Sequence, residues 1–158
     1  MKILIFGIQG SGKTTLAEPL AKLLNGVHIN AENVRRQYEG HDKKNWDYSP
    51  EGNKKQALRM RHLADGVVMS DKIAVADFVC PTEEARKQFG ADFVIWMDTI
   101  DDKENILDKP KKADIDYHVA KWFNDTHTQL VPVVERFMKK QNTTPIGYVA
   151  WRLENENL

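Results

Sequence analysis

The sequence predicts an α/β fold, a central parallel sheet with helices on both faces. Short apolar runs at 2–6, 27–29, 72–78 and 93–97 are separated by segments of helical periodicity. These runs are β-branched and aliphatic rather than alternating, the pattern of strands buried on both faces. Each connection is long enough to hold a helix, which is what joining parallel strands requires.

Residues 2–6, KILIF, form the first strand. A helix over 13–24 follows, with Leu16, Leu20, Leu23 and Leu24 on one face. Pro19 inside it removes one backbone donor and predicts a kink. Asn25 and Gly26 stop that helix, and a stub strand spans 27–29. Residues 31–38 predict a short helix and 39–48 a polar, turn-rich stretch. Ser49 then caps a long helix with Pro50 at its first position, and Ala57, Met60, Ala64, Val67 and Val68 make its apolar face. A strand over 72–78 carries Asp77 near its end, 82–89 predicts a short helix, and 93–97 another buried strand. Residues 98–114 are charged and aperiodic, a loop or lid. A last strand at 117–119 and a last helix at 123–139 precede a tail, 143–158, in which 148–153 suggests an added strand or a partner contact. With no repeat, low-complexity tract or long linker, residues 1–158 read as one domain.

Composition narrows the function classes. A chain of 158 residues suits one hydrophobic core. Basic and acidic residues number 23 each, so the net charge is zero and a nucleic acid partner is disfavoured. The single cysteine excludes an internal disulfide and suits a cytoplasmic setting. No apolar run reaches membrane-spanning length, so no membrane partner is expected.

Between the first strand and its helix, Gly7-Ile8-Gln9-Gly10-Ser11-Gly12-Lys13-Thr14 satisfies the pattern G-x-x-x-x-G-K-[ST] of a P-loop. Glycines let backbone amides curl around phosphate oxygens, and the next helix points its positive end at the same place. Gly7, Gln9, Gly10, Ser11, Gly12, Lys13, Thr14 and Thr15 are the candidate ATP-binding residues. Lys13 would reach the β- and γ-phosphates and the Thr14 hydroxyl would ligate magnesium. A plain glycine turn would need neither. ATP and Mg2+ are therefore the expected cofactors. Signalling GTPases are excluded, because the chain has no Asn-Lys-x-Asp and no glycine with aspartate three places before it. A small kinase is the leading expectation.

Further polar residues cluster at strand ends, where ligands bind in open parallel sheets. Asn30, Glu32, Arg35 and Arg36 lie just past the second strand, and Asp77 stands at the end of the third, where an acid commonly holds magnesium. Together with the P-loop, three stretches resemble the adenylylsulfate kinase family. Asn30-Ala31-Glu32-Asn33-Val34-Arg35 resembles its Asp-Gly-Asp-Asn-Val-Arg, and Asp47-Tyr48-Ser49-Pro50-Glu51 its Gly-Phe-Ser-x-Glu. Phe78-Val79-Cys80-Pro81 resembles its Phe-Ile-Ser-Pro, and the likeness runs over roughly 2–97. The resemblance implies the three-layer P-loop kinase fold and transfer of the ATP γ-phosphate to a small-molecule hydroxyl acceptor, adenylylsulfate in that family. It implies that Glu32 takes the acceptor's proton or holds magnesium, that Arg35 grips its phosphate or sulfate, and that Tyr48 stacks on its base. Phe78 would wall the acceptor pocket, with Asn30, Gln56 and Pro81 on the same side. Lys13, Glu32, Arg35 and Asp77 are the candidate catalytic set, and Thr14 with Asp77 the candidate metal pair.

The chain departs from that family at identifiable points. Asn30 replaces its first aspartate, and Asn53 and Gln56 stand where its long helix has arginine and asparagine. Residues 98–113 contain no arginine. One of Arg35, Arg36, Arg59, Arg61 and Arg86 would have to serve the transition state. Glu32, Arg35 and Asp77 also resemble the pattern of polynucleotide 5′-hydroxyl kinases, which keeps a nucleic acid or modified-base hydroxyl as an alternative acceptor. A nucleotide-gated regulatory module is the alternative from another class. The bland expectations are a buried Cys80, a core-facing His28, packing roles for Trp46, Trp96 and Trp122, and surface charge at Arg59 and Arg61.

Overall fold

The computed structural model describes residues 1–103 and 107–156. Five strands, β1 (Lys2–Phe6), β2 (Val27–Asn30), β3 (Ala74–Phe78), β4 (Phe93–Met97) and β5 (Tyr117–Val119), form one sheet in the order β2-β3-β1-β4-β5. Every pairing is parallel. The connections between strands carry α1 (Lys13–Leu23), α2 (Ala31–Glu39), α3 (Pro50–Met69) and α4 (Glu83–Phe89), and α5 (Thr126–Gln141) and α6 (Ile146–Glu154) follow β5. Because β1 is central and its neighbours come from later in the chain, the loop after β1 opens onto the crevice where the strand order reverses. None of the described helices is long and apolar enough to cross a membrane.

Alternation along the strands sorts the core into two layers. Ile3, Ile5, Val75 and Ile95 pack against Leu16, Ala17 and Leu20 of α1 and Leu130 and Val134 of α5. Leu4, Phe6, Ala74 and Ala76 pack on the other face against Ala57, Met60 and Ala64 of α3. Asp77 has the parity of Val75, which turns it toward α1. The β2 register sets His28 beside Val75 and Asn30 beside Asp77, so these three polar side chains share one face at one edge.

The expected caps are in place. The Ser49 hydroxyl accepts the Gly52 amide at 3.1 Å with Pro50 opening α3, and the Thr82 side chain caps α4. Three expectations need correction. Residues 148–153 are helical in α6, not a strand: Pro145 opens the helix, and Asp71 accepts the Ile146 and Gly147 amides at 3.3 and 2.9 Å. Helical rather than alternate spacing then brings Tyr148 and Trp151 together, with ring centroids 5.9 Å apart. The last long helix begins at Thr126, so 120–125 is a loop carrying Trp122 and Phe123. His28 is half-buried against Asp77 rather than in the core. Of the expected lid, Lys112–Asp114 forms one 3-10 turn, and Asp108 is tied to Pro81 by an amide-to-carbonyl bond of 2.8 Å. Residues 104–106 of that lid and 157–158 of the tail lie outside the described residues.

Candidate active site at the P-loop

The loop after β1 is shaped by close backbone approach. A Cβ on Gly7 would lie 2.5 Å from the Met97 carbonyl oxygen of the neighbouring strand, so a larger residue would push β1 and β4 apart. Gly12 takes φ 94°, a left-handed conformation, and its carbonyl accepts the Leu16 amide at 3.1 Å as α1 begins. Ser11 is buried, whereas Gln9, Gly10, Thr14 and Thr15 line the exposed mouth. Lys13 folds back so that Nζ donates to the Ile8 carbonyl at 2.9 Å. Burial lowers its pKa, and the charges of Asp77 and Glu32 oppose that shift, so both carboxylates lie within electrostatic reach of the ammonium.

A polar cluster stands beside this lysine. The Thr14 hydroxyl donates to Asp77 Oδ1 at 3.1 Å. Asn30 Nδ2 donates to the same oxygen at 3.2 Å and to Thr14 Oγ1 at 3.3 Å. His28 Nε2 hydrogen-bonds Oδ2, and Asp77 itself is 2% exposed. One hydroxyl and one carboxylate at a helix N-terminus are the hard oxygen donors magnesium prefers, so Thr14 and Asp77 fit that ion. Among the described residues no three histidine, cysteine, aspartate or glutamate side chains are grouped to hold a metal by themselves. The remaining ligands would have to come from phosphate oxygens.

On the acceptor side the expected residues divide. Glu32 is exposed, and its carboxylate bridges Lys43 at 3.3 Å and Arg36 at 3.5 Å. Arg35 turns the other way. It is buried, donating to Glu39 at 2.9 Å, the Asp47 carbonyl at 2.8 Å and Asn53 at 3.2 Å, with the Tyr48 ring 4.8 Å from its guanidinium. Tyr48 is otherwise exposed. Gln56 is buried, holding the Ala31 carbonyl at 2.9 Å. Phe78 sits in the core, edge-on to Phe89 at 5.5 Å, and Pro81 is half-buried behind it. The other candidate arginines are engaged as well. Arg59 binds Glu39 at 2.6 Å, Arg61 the Gln88 carbonyl at 3.2 Å, and Arg86 the Cys80 and Asp108 carbonyls at 3.0 and 2.8 Å. Thr14, Asn30 and Asp77 thus meet where the strands end, with Lys13 in electrostatic reach of Asp77 and Glu32, while Arg35, Gln56 and Phe78 are taken up by contacts of their own. On the opposite side of the loop, a cleft of about 510 Å³ is lined by Ile8, Trp96, Asp98 and Ile100.

Residues 3–94 match the model of a family described as an AAA domain. The chain belongs to that family. No curated protein matches this AAA-domain chain in sequence. Its fold is that of P-loop kinases. It is similar to the structure of the Mycobacterium tuberculosis adenylylsulfate (APS) kinase in complex with AMPPNP and APS, at 16% identity and TM-score 0.69, over 85% of this chain and 96% of that one. A shikimate kinase from Aquifex aeolicus aligns at 16% identity and TM-score 0.58, over 85% and 96% of the two chains. A gluconokinase from Sinorhizobium meliloti aligns at 13% identity and TM-score 0.59, over 89% and 95%. The expected three-layer P-loop kinase fold, like that of adenylylsulfate kinase, is met.

Within this AAA-domain chain the structure adds residues that sequence reasoning set elsewhere. His28 precedes Asn30 by two places, and strand alternation alone would have put both on one face. Trp122 gave no such signal. A Cβ on Gly12 would lie 3.1 Å from its indole, which places an aromatic ring, 39% exposed, directly on the phosphate loop. Thr99 adds a clasp, its hydroxyl donating to the Ser11 carbonyl at 2.7 Å. Trp46 and Trp96 pack as expected, the first buried with Nε1 on the Gly40 carbonyl, the second stacked between Phe6 and His118.

Proposed function

We propose that this protein is a magnesium-dependent ATP phosphotransferase that moves the γ-phosphate to a hydroxyl of a small-molecule acceptor. The observation that carries the reading is the hydrogen bond between Thr14, the last residue of the P-loop, and the buried Asp77 at the end of β3, with Lys13 next to Thr14 in the chain and in the field of the Asp77 and Glu32 carboxylates. The P-loop amides and the N-terminus of α1 would hold the phosphates, and Lys13 would exchange the Ile8 carbonyl for phosphate oxygens. Thr14 and Asp77 would hold magnesium, which supplies charge neutralisation at those oxygens. Trp122, exposed beside Gly12, offers the donor base an aromatic face. Glu32 would orient the acceptor hydroxyl and accept its proton. Most of the acceleration then comes from alignment rather than covalent chemistry.

The family resemblance points to adenylylsulfate as the acceptor, and the Mycobacterium tuberculosis enzyme similar in fold was solved with that compound. Arg35 would reach an anionic group only by leaving Glu39, Asp47 and Asn53. In the present arrangement it ties α2 to the following loop and to α3 instead.

Labelled ATP offered with adenylylsulfate, nucleoside monophosphates, sugars and 5′-hydroxyl oligonucleotides tests the assignment. Phosphate should appear on one of the small acceptors. Lys13→Ala should slow transfer by about 100-fold or more. Glu32→Gln should slow it by about 100-fold while ATP affinity stays near wild type. Unaltered transfer in either variant refutes that residue's role. ATP hydrolysis that labels no acceptor and ignores Glu32→Gln would identify a nucleotide-gated module instead.

A further inference from the structure

Asn30 occupies two positions at once, and each constrains the other. It is the residue before α2, and its Oδ1 accepts the Asn33 amide at 3.1 Å, capping that helix. The cap decides which end of the side-chain amide points where: the oxygen lies on the helix, so the nitrogen lies on the sheet edge. From there Nδ2 donates to Asp77 Oδ1 at 3.2 Å and to Thr14 Oγ1 at 3.3 Å, with Oδ2 at 3.5 Å. His28 engages Oδ2 from β2, and the Thr14 hydroxyl is turned onto Oδ1. Three side chains therefore share the two oxygens of one carboxylate that is 2% exposed.

An amide N–H group is a donor and cannot ligate a cation. It sits on the two oxygens a divalent ion would use. Those oxygens are also few: magnesium takes about six oxygen ligands in near-octahedral geometry, and the site offers one hydroxyl and one carboxylate. Among the described residues no cluster of acids makes up the difference. At the corresponding place the adenylylsulfate kinase pattern has an aspartate, an acceptor where this chain brings a donor.

We propose that Asn30 makes metal uptake conditional on nucleotide, so that the Thr14–Asp77 pair rejects a free divalent cation and accepts one only together with triphosphate oxygens. The proposal rests on reading Thr14 and Asp77 as the metal pair. Asn30 acts here as a positioning residue, setting where Asp77 and Thr14 point before ligand arrives.

Asn30→Asp is the informative substitution. Aspartate caps a helix as well as asparagine does, so α2 is retained, while the donor over Asp77 becomes a second carboxylate. Mn2+ is titrated into the full-length, nucleotide-free protein, and unbound Mn2+ is followed by its EPR signal. Wild type should take up little. Asn30→Asp should bind at least about tenfold more tightly, because affinity at oxygen sites rises with ligand charge. Asn30→Asp combined with Asp77→Asn should return to the wild-type level. In parallel, a fluorescent ATP analogue should bind wild type more tightly with magnesium than without it. Matching melting curves for wild type and Asn30→Asp establish that the fold is shared. Wild type binding free Mn2+ as tightly as Asn30→Asp, or no gain in Asn30→Asp, overturns the proposal. ATP-analogue affinity that ignores both magnesium and Asp77→Asn instead removes the metal-pair reading and the proposal with it.

Discussion

At the scale of single residues, Gly12 shows how tightly the phosphate loop is specified. Its left-handed φ of 94° lets the loop turn into α1, and its missing side chain admits the Trp122 ring 3.1 Å from the place a Cβ would occupy. Gly12→Ala therefore meets two penalties, a left-handed alanine at about 1–2 kcal/mol and displacement of the indole. The melting temperature should fall by about 2–4 °C for each kcal/mol in a chain of this size. ATP should bind at least about tenfold more weakly, because the loop amides lose their inward set. A thermal scan and a nucleotide titration check both, and unchanged ATP affinity would remove the loop from the binding site. The glycine, the lysine and the threonine were legible because a P-loop is written in consecutive residues. The indole was not, since only the folding of the β5–α5 loop brings it there from far along the chain. Asp77 was legible as an acid ending a strand. Its partnership with His28 needed the pairing register of β2 on β3, which no local pattern encodes.

Between elements, one carboxylate joins α2, α3 and the loop that separates them. Glu39 accepts from Arg35 at 2.9 Å, from Arg59 of α3 at 2.6 Å and from the Asp47 amide at 2.7 Å. Burial pushes its pKa up, but the Asp47 amide, Arg59 and Arg35 together outweigh burial and hold it below the ordinary 4.5. A carboxyl depressed in this way stabilises the folded chain above about pH 4.5, and that contribution is lost as the pH falls through its lower folded value. Glu39→Gln should cost about 2 kcal/mol at pH 7. The gap from wild type should close in acid, as the wild-type carboxyl takes up its proton. Urea unfolding of both proteins at pH 7 and below pH 4 measures this, and a gap that persists in acid would contradict it. The same junction takes up Arg35, for which the family resemblance implies a grip on the acceptor. Its partner four residues on was visible, but Asn53 and the Asp47 carbonyl reach it only when 40–49 folds back over α2. The helix at 146–154 was missed for a related reason. Its aromatic and β-branched residues favour a strand locally, and the cap that makes it a helix comes from Asp71, far back in the chain in the α3–β3 turn.

Across the whole molecule, the proposed nucleotide site and the packing of α6 occupy opposite edges of the sheet. The P-loop, Asn30 and Asp77 gather where the strands end. At the edge where β1 and β3 begin, α6 closes the core by placing Tyr148, 5% exposed, in the cluster that holds Met1 and Ile73, with Trp151 packed against it. Asp71 caps α6, and Arg152 pairs with Glu135 of α5 at 3.4 Å. If the two edges are energetically separate, loosening α6 should lower stability without touching the nucleotide. Tyr148→Ala removes a buried aromatic side chain and should cost about 3–5 kcal/mol, a fall in melting temperature of roughly 10 °C. Asp71→Ala, which strips the cap and leaves the core intact, should cost about 1 kcal/mol. ATP affinity, measured well below each variant's melting point, should stay within about twofold of wild type, as expected for sites that share no partners. A variant that remains folded yet loses ATP binding would show instead that α6 reaches the P-loop through α1 and α5. The layer those helices share, Leu16, Leu20, Leu130 and Val134, would then be the route by which one edge of the sheet controls the other.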